Sequence, residues 1–190
     1  MNLEALQATA HKRLNVGCGE YPLRYYTNLD ANPALPAEIH ATVPPLPYDD
    51  NALSEIYAGH VLEHMTQDAG RAFLAECYRT LEPGGRLGVL VPDTFEIMRR
   101  YTLGMLDKVE YPEGVYHAIT DLDEVCALFL YSTAQDSPHQ WSYDAGTLRR
   151  AMERAGFRSL RMIDRYADPR IPVGAWYQCG WDGFKLGKTV

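Results

Sequence analysis

The stretch Arg13-Leu14-Asn15-Val16-Gly17-Cys18-Gly19 decides the fold. Residues 13–16 have the pattern of a short strand, and two of the next three residues are glycines. Glycine lets backbone N–H groups approach a ligand where a Cβ atom would clash, and the carboxyl end of such a strand opens into a binding crevice. An ordinary tight turn would show the same loop, so the neighbouring segments have to distinguish the two cases.

The segments that follow alternate between strand-like and helix-like patterns, which favours a largely parallel sheet built from βα units. We predict strands at residues 13–16, 26–29, 38–43, 54–58, 86–91, 159–163 and within 176–186. We predict helices at 70–81, 95–106, 122–131 and 142–155, with Pro83-Gly84-Gly85 ending the first of them. The short spacing between the first two strands leaves room for little more than one helical turn.

The length of 190 residues suits one domain, which can bury a core without disulfides or a structural metal. We assign residues 1–190 to this domain. Its core takes in about 12–93 and 142–190, and a lid or insertion takes in about 94–141, where the regular alternation lapses.

Charge and cysteine usage narrow the classes of partner. The formal net charge is −7 and no Lys/Arg run is longer than a pair, which argues against a nucleic-acid partner. The four cysteines are widely spaced, so neither a zinc ribbon nor a disulfide framework is indicated. No segment has the length of a membrane span or the apolar stretch of a signal peptide. We therefore expect a cytoplasmic protein with no membrane partner.

A carboxylate supports the ligand-binding interpretation of the glycine loop. Asp30 ends the second predicted strand, where its oxygens can accept hydrogen bonds from both hydroxyls of a ribose. By itself, Asp30 is more typical of a turn before Asn32-Pro33. Together with Gly17 and Gly19, it favours a ribose-bearing ligand.

Five motifs occur in order along the chain: Leu14-Asn15-Val16-Gly17-Cys18-Gly19, Asn28-Leu29-Asp30-Ala31-Asn32-Pro33, Leu46-Pro47-Tyr48-Asp49-Asp50-Asn51, Glu55-Ile56-Tyr57-Ala58-Gly59-His60-Val61-Leu62-Glu63-His64 and Leu81-Glu82-Pro83-Gly84-Gly85-Arg86-Leu87. This ordered set resembles type-11-like S-adenosylmethionine-dependent methyltransferases of class I, over about residues 12–165. The resemblance implies an α/β fold with a doubly wound, Rossmann-like sheet of about seven strands, the last one antiparallel. A reduced first helix and a helical insertion after the fifth strand complete the expected fold. A nicotinamide enzyme would show Gly-x-Gly-x-x-Gly opening a full helix, which this sequence lacks.

The resemblance implies S-adenosyl-L-methionine as the cofactor and S-adenosyl-L-homocysteine as its product. Matching positions assign cofactor binding to Asn15, Gly17, Cys18, Gly19, Asp30, Ala31, Pro45, Leu46, Gly59 and His60. Asn15 stands where the family has an acidic residue, and Tyr21 where it has a third glycine. The family's adenine-contacting acid is absent as well, so we expect backbone and apolar contacts around Pro45 and Leu46 to hold adenine.

The residues just beyond the fourth predicted strand lie, by the same resemblance, beside the transferable methyl group. Methyl transfer is an in-line displacement that depends on positioning and exclusion of water, and a hydroxyl acceptor must also lose its proton. We hypothesise that His60 or His64 is the general base and that Glu63 orients or charges it. The alternative is that either histidine caps a helix or satisfies a buried carbonyl.

Two other functions use the same features. His60-Val61-Leu62-Glu63-His64 matches the His-x-x-Glu-His pattern of inverted zinc peptidases, in which two histidines on one helix face share a metal. That site requires a third ligand, and the surrounding motifs have the methyltransferase order, so we predict no metal. A non-catalytic binding module with the same fold is the second alternative.

For the acceptor, we expect an oxygen rather than a nitrogen of a small molecule or glycan. The predicted insertion contains side chains that could stack on or hydrogen-bond an acceptor: Tyr101, Tyr111, Tyr116, His117, Tyr131 and His139. Phe129-Leu130-Tyr131, at the end of an apolar helix, is interpreted as a core or dimer contact, which allows a homodimer.

Overall fold

A seven-stranded sheet organises the chain in this computed structural model, which describes residues 12–106, 109–110, 116–117, 122–125, 138–164 and 176–187. The strands are β1 (Arg13–Val16), β2 (Thr27–Asp30), β3 (Ile39–His40), β4 (Leu53–Gly59), β5 (Leu81–Pro92), β6 (Val109–Glu110), β7 (Tyr116–His117), β8 (Arg158–Met162) and β9 (Gln178–Phe184). β6 and β7 pair only with each other, and the remaining strands lie in the order β3-β2-β1-β4-β5-β9-β8.

The strand directions follow the sequence prediction. β1 runs parallel to β2 and β4, β4 runs parallel to β5, and β9 runs antiparallel to both β5 and β8. The strand order reverses at β1, so the carboxyl ends of β1 and β4 flank a crevice. The expected α/β sheet with an antiparallel last strand is confirmed.

Four α-helices and a 3₁₀ turn (Leu62–His64) complete the described elements, and the α-helices are α1 (Gln67–Thr80), α2 (Thr94–Thr102), α3 (Leu122–Val125) and α4 (Ala145–Ala155). α1 and α4 pack on each other and against β5 and β9, respectively. The Thr66 hydroxyl accepts the N–H of Ala69 at 3.3 Å and starts α1 earlier than predicted. Asp144 caps α4, which ends at Gly156 with a φ of 109°.

No helix forms between β1 and β2, where residues 17–26 are fully described. A side-chain brace connects these strands instead, because Asn15 Nδ2 donates to Asn28 Oδ1 at 2.9 Å. The same Asn28 oxygen accepts the N–H of Leu23 at 2.7 Å, which fixes the intervening turn. The reduction of the first helix is therefore more complete than predicted.

β3 is shorter than the strand predicted at 38–43. It pairs with β2 only through Leu29↔Ile39 and Asp30↔His40. Because β2 ends at Asp30, the chain beyond His40 has no neighbouring strand with which to continue the ladder.

Pro83-Gly84-Gly85 does not end α1, which corrects the sequence prediction. α1 ends at Thr80, and β5 begins at the next residue. The three residues lie in an irregular part of β5, where pairing with β4 shifts from Leu53↔Leu81 to Glu55↔Arg86. Gly84 has a φ of 89°, so the glycine is required by a strand irregularity rather than by a helix end.

Asp93 and Tyr143 flank the predicted insertion and lie side by side in a parallel β-bridge. Within the insertion, α2 ends at Thr102, before a turn at Gly104 with a φ of 65°. The hairpin of β6 and β7 is a feature that the sequence patterns miss. Of the helix predicted at 122–131, only 122–125 is described, and Tyr111, Tyr131 and 129–131 lie outside the described residues.

The main core includes residues from the sheet, α1 and α4, with Leu14, Ile56, Phe73, Leu87 and Phe157 fully buried. A second cluster joins Ile97, Leu106 and Val125 within the insertion. Among the helices of the described residues, none has the length and apolar character needed to cross a membrane.

Candidate active site

The loop after β1 is a tight turn at the carboxyl edge of the sheet. Gly17 and Cys18 donate their N–H groups to the same Leu29 carbonyl, at 2.7 and 3.2 Å. Gly17 has a φ of 63°, and a Cβ atom there would lie 2.5 Å from Cγ2 of Val61. Glycine is therefore required for the loop to pack against the segment that follows β4.

The outer side of this loop is open. Gly19 has a φ of 57°, and an added Cβ atom would meet nothing within 4 Å. Asp30 lies beside this space. Its Oδ2 accepts a hydrogen bond from the Gly19 N–H, and its Oδ1 accepts one from the Asn32 N–H, both at 2.9 Å. Each carboxylate oxygen retains a further lone pair, so an open glycine edge with a carboxylate beside it suits a ribose with two hydroxyls.

Asn15 and Cys18 are fully buried behind the loop. Asn15 uses its amide nitrogen in the brace to Asn28, and its Oδ1 has no hydrogen-bond partner among the described residues. A buried acceptor in this state fits a site that a ligand N–H group completes, such as the ammonium group of S-adenosylmethionine. Cys18 donates its N–H to the Leu29 carbonyl, and its Sγ lies 3.5 Å from the Gly19 carbonyl oxygen, so both groups serve the loop itself.

The other predicted cofactor contacts separate into exposed and buried residues. Ala31 and Pro45 are exposed, and Gly59 is buried at the end of β4. Leu46 is 3% exposed and belongs to the main core, while its N–H donates to Glu76 Oε2 at 3.0 Å. Of the pair expected to hold adenine, Pro45 is therefore the exposed residue and Leu46 the buried one.

His60 lies directly after β4 with a φ of 55°, and both of its ring nitrogens face oxygens. Nδ1 lies 3.1 Å from Glu63 Oε1, and Nε2 lies 2.8 Å from Gln178 Oε1. Both ring nitrogens of His60 are therefore directed at protein side chains. A general base needs a ring nitrogen that faces the acceptor, whereas both nitrogens of His60 face Glu63 and Gln178, which favours a positioning role for His60.

Glu63 is 2% exposed and lies in the 3₁₀ turn Leu62–His64. Burial by itself would raise the pKa of Glu63, but the hydrogen bond from His60 and the charges of His60 and His64 outweigh it and hold the pKa below its usual range. Its Oε1 accepts from His60, whereas its Oε2 has no hydrogen-bond partner among the described residues. Burial and the charge of Glu63 raise the pKa of the nearby Tyr143 to about 12.

His64 and His139 meet on the outer side of this turn. Their ring centroids lie 4.8 Å apart at an interplanar angle of 75°. The Glu63 carbonyl accepts the N–H groups of Gln140 and Trp141 at 2.7 and 3.1 Å, which attaches the end of the insertion to the turn. The structure thus brings His139 to the predicted catalytic residues.

The peptidase arrangement is not formed. His60 lies outside the short 3₁₀ turn that contains Glu63 and His64, so His60 and His64 do not stand on one face of a regular helix. His60 also directs both nitrogens to Glu63 and Gln178. The His60/His64 pair therefore lacks the geometry that a peptidase zinc site requires.

Sequence reasoning misses Gln178 and the proximity of His139 to the turn. Gln178 is fully buried at the start of β9, and no motif distinguishes it from the rest of that strand. His139 and Gln178 reach the turn only through long-range packing of the insertion and the last strand. No local pattern carries that information.

Comparison with known proteins supports the interpretation of this edge. Residues 14–89, from β1 into β5, match the family model described as a methyltransferase domain. A comparison with curated protein sequences finds no significant match.

Similar solved structures have the same fold. A Thermotoga maritima S-adenosylmethionine-dependent methyltransferase, described as a possible histamine N-methyltransferase, is 16% identical with a TM-score of 0.58, covering 96% of this chain and 87% of that one. An Archaeoglobus fulgidus S-adenosylmethionine-dependent methyltransferase is 14% identical with a TM-score of 0.54, covering 97% and 95%. One from Mesorhizobium loti is also 14% identical with a TM-score of 0.54, covering 95% and 96%.

The sheet order and the glycine edge define a class I methyltransferase fold. Residues 14–89 match the methyltransferase-domain family model, and the similar solved structures named above are S-adenosylmethionine-dependent methyltransferases. Gly19, Asp30 and the buried Asn15 oxygen are the residues whose geometry fits S-adenosylmethionine.

Proposed function

We propose that this chain transfers the methyl group of S-adenosylmethionine to a hydroxyl oxygen of a small-molecule or glycan acceptor. The observation that carries the proposal is the cluster of hydrogen-bonding side chains beyond β4, next to the glycine loop. His60, Glu63, His64 and His139 all belong to it, and Val61 lies between them and Gly17. Such a cluster suits an acceptor that donates and accepts hydrogen bonds.

In the proposed reaction, the acceptor oxygen forms a bond to the methyl carbon while the bond between that carbon and sulfur breaks. The sulfonium becomes a neutral thioether, and the hydroxyl proton leaves to solvent at this half-exposed edge. The bound cofactor supplies an activated methyl group, so the protein contributes mainly positioning and exclusion of water.

We assign different tasks to the three residues predicted as catalytic. His64, partly exposed and beside His139, contacts the acceptor. His60 and Glu63 are positioning residues, because they bond to each other and His60 also bonds to Gln178, which fixes the turn that carries His64. Replacing His64 should lower kcat/KM for the acceptor while leaving cofactor affinity unchanged.

The net charge supports the proposed acceptor class, and the cysteines support the proposed location. A net charge of −7 favours a small or neutral acceptor over a nucleic acid. Cys18, Cys77 and Cys179 are buried, and burial raises the pKa of the Cys77 thiol. Buried thiols of this kind are compatible with a reducing, cytoplasmic location.

An acceptor screen with S-adenosylmethionine labelled in its methyl group tests the proposal. Sugars, glycosides and phenols are compared with amines of similar size, and the product bond is identified by mass spectrometry. We expect label in an ether, with turnover lowered about tenfold or more in His64→Gln, the rate equivalent of one lost hydrogen bond. His40→Gln, which replaces an exposed histidine at the end of β3, is the matched control. Label confined to amines, or equal turnover in His64→Gln and His40→Gln, contradicts the proposal.

A further inference from the structure

Three side chains at the 3₁₀ turn beyond β4 carry groups that ligate metals in proteins. One ligand atom from each of Glu63, His64 and His139 lies within 4.8 Å of the other two. We propose that these residues bind a first-row divalent cation of the zinc class. The inference depends on the proposed function only for the role of the metal, which is to bind the acceptor oxygen.

The histidine from the end of the insertion is held in place by backbone contacts. Gln140 and Trp141 donate their N–H groups to the Glu63 carbonyl, and Gln140 Nε2 donates to the His64 carbonyl at 2.7 Å. These bonds fix the backbone next to His139 against the turn. The side chains of His64 and His139 can therefore meet without further movement of either segment.

The Glu63 carboxylate is a second observation, separate from the distances, that points to a bound cation. Its side chain is 2% exposed, so the carboxylate is removed from water. His60 satisfies Oε1, but Oε2 has no hydrogen-bond partner among the described residues. A buried carboxylate oxygen in this state is costly, and a bound cation would satisfy it.

The ligand set selects the class of cation. Two imidazoles and one carboxylate favour zinc, cobalt or nickel over magnesium or calcium, which prefer oxygen ligands alone. Three protein ligands leave one tetrahedral position open, as in catalytic zinc sites. Bonds of about 2.0–2.1 Å place tetrahedral ligand atoms ~3.3 Å apart, so small side-chain rotations of the two partly exposed histidines would close the site.

His60 takes a supporting role in this arrangement. It donates to the Glu63 oxygen that would not bind the metal, and Gln178 holds its other nitrogen at 2.8 Å. Hydrogen bonds of this kind orient metal-binding carboxylates. This site differs from the peptidase pattern, because it uses His64 and His139 in place of the His60/His64 pair.

Metal titration of the untagged, full-length protein tests the site. After chelator treatment and dialysis, Zn²⁺ binding is measured by calorimetry and elemental analysis, and Co²⁺ binding by its visible absorption. We expect one ion per chain and a loss of affinity of about 100-fold in His139→Gln, with no change in the control His40→Gln. Retained binding of S-adenosylhomocysteine shows that His139→Gln is folded.

Each outcome of this experiment bears on one claim. Less than one Zn²⁺ per wild-type chain, or equal Zn²⁺ affinity in wild type and His139→Gln, overturns the metal site. Stoichiometric Zn²⁺ with no methyl transfer to any acceptor upholds the site and contradicts the proposed function. Acceptor methylation that is unaffected by chelator removes the metal from the reaction and leaves methyl transfer in place.

Discussion

Two glutamates near opposite ends of β4 show how one sheet separates stability from function. Glu55, near the start of the strand, has a side chain 14% exposed and accepts hydrogen bonds from Tyr26 and Arg86. Arg13 lies 3.5 Å from its other oxygen. Glu63, beyond the end of the strand, is more deeply buried and accepts from His60 alone among the described side chains.

Both carboxylates have a lowered pKa, but for different structural reasons. Burial would raise the pKa of Glu55, and the hydrogen bonds from Tyr26 and Arg86, with the charges of Arg86 and Arg13, outweigh it. Arg86 continues this network to Asp182 on β9 at 3.2 Å. A carboxylate whose oxygens are all paired belongs to the framework, whereas one with an oxygen left open belongs to a binding edge.

The largest expected effect on folding is at Glu55. Glu55→Ala removes an acceptor from Arg86 and Tyr26, so we expect the free energy of unfolding to fall by about 2–3 kcal/mol, less than for a fully buried pair. Cofactor affinity should not change, because the network lies at the opposite edge of the sheet. Urea denaturation and calorimetry with S-adenosylhomocysteine measure the two quantities.

Glu82→Ala is the matched control for this variant. It breaks the exposed ion pair between Lys12 and Glu82 and should cost less than about 0.5 kcal/mol. Equal losses of stability in Glu55→Ala and Glu82→Ala would contradict the framework role of Glu55.

A smaller effect, mainly on turnover, is expected at Gln178. Gln178→Met keeps the volume but removes the acceptor for His60 Nε2, so we expect kcat to fall about tenfold, or ~1.4 kcal/mol in the barrier. The affinity for S-adenosylhomocysteine should change less than twofold. Gln178→Glu restores an acceptor and should recover most of the activity. Loss of cofactor binding in Gln178→Met would instead indicate that the substitution disrupts the fold around the end of β4.

The smallest effect concerns alkaline stability. Burial, followed by the hydrogen bond and charge of Glu55, raises the pKa of Tyr26 to about 12 in the folded chain. The folded state therefore holds this proton while the unfolded state loses it from about pH 10, and the stabilisation declines as pH rises toward 12. Tyr26→Phe should make the fall of unfolding free energy between about pH 10 and 12 shallower than in wild type. Identical slopes in the two proteins would contradict the assignment.

The sequence predicts the parts of this fold that depend on neighbouring residues. β1 and its glycines are predicted correctly because strand pattern and turn chemistry are local properties. Pro83-Gly84-Gly85 is misinterpreted, since a helix end and a strand irregularity both favour positive φ at glycine. The shortened β3 depends on where its partner strand ends, which a single segment does not reveal.

The candidate site likewise contains some residues that the sequence predicts and others that only the structure shows. Gly17 and Gly19 lie in the loop after β1 and Asp30 ends β2, so their position at the crevice can be inferred from sequence. Gln178 and His139 come to the turn from distant parts of the chain, and only the packed structure shows that they surround Glu63 and His60. The same packing directs both ring nitrogens of His60 at protein side chains, which no motif could show.

Calorimetric titration with S-adenosylhomocysteine tests the central claim most directly, using wild type and two glycine variants. Gly19→Ala and Gly84→Ala both place a side chain at positive φ with nothing within 4 Å, so each should lose about 1 kcal/mol of stability. Of these two glycines, only Gly19 lies in the loop after β1, beside Asp30. We predict one ligand bound per wild-type chain, a loss of affinity of about tenfold or more in Gly19→Ala, and near wild-type affinity in Gly84→Ala. No binding to wild type at millimolar ligand, or equal losses in both variants, would contradict a cofactor site at this loop.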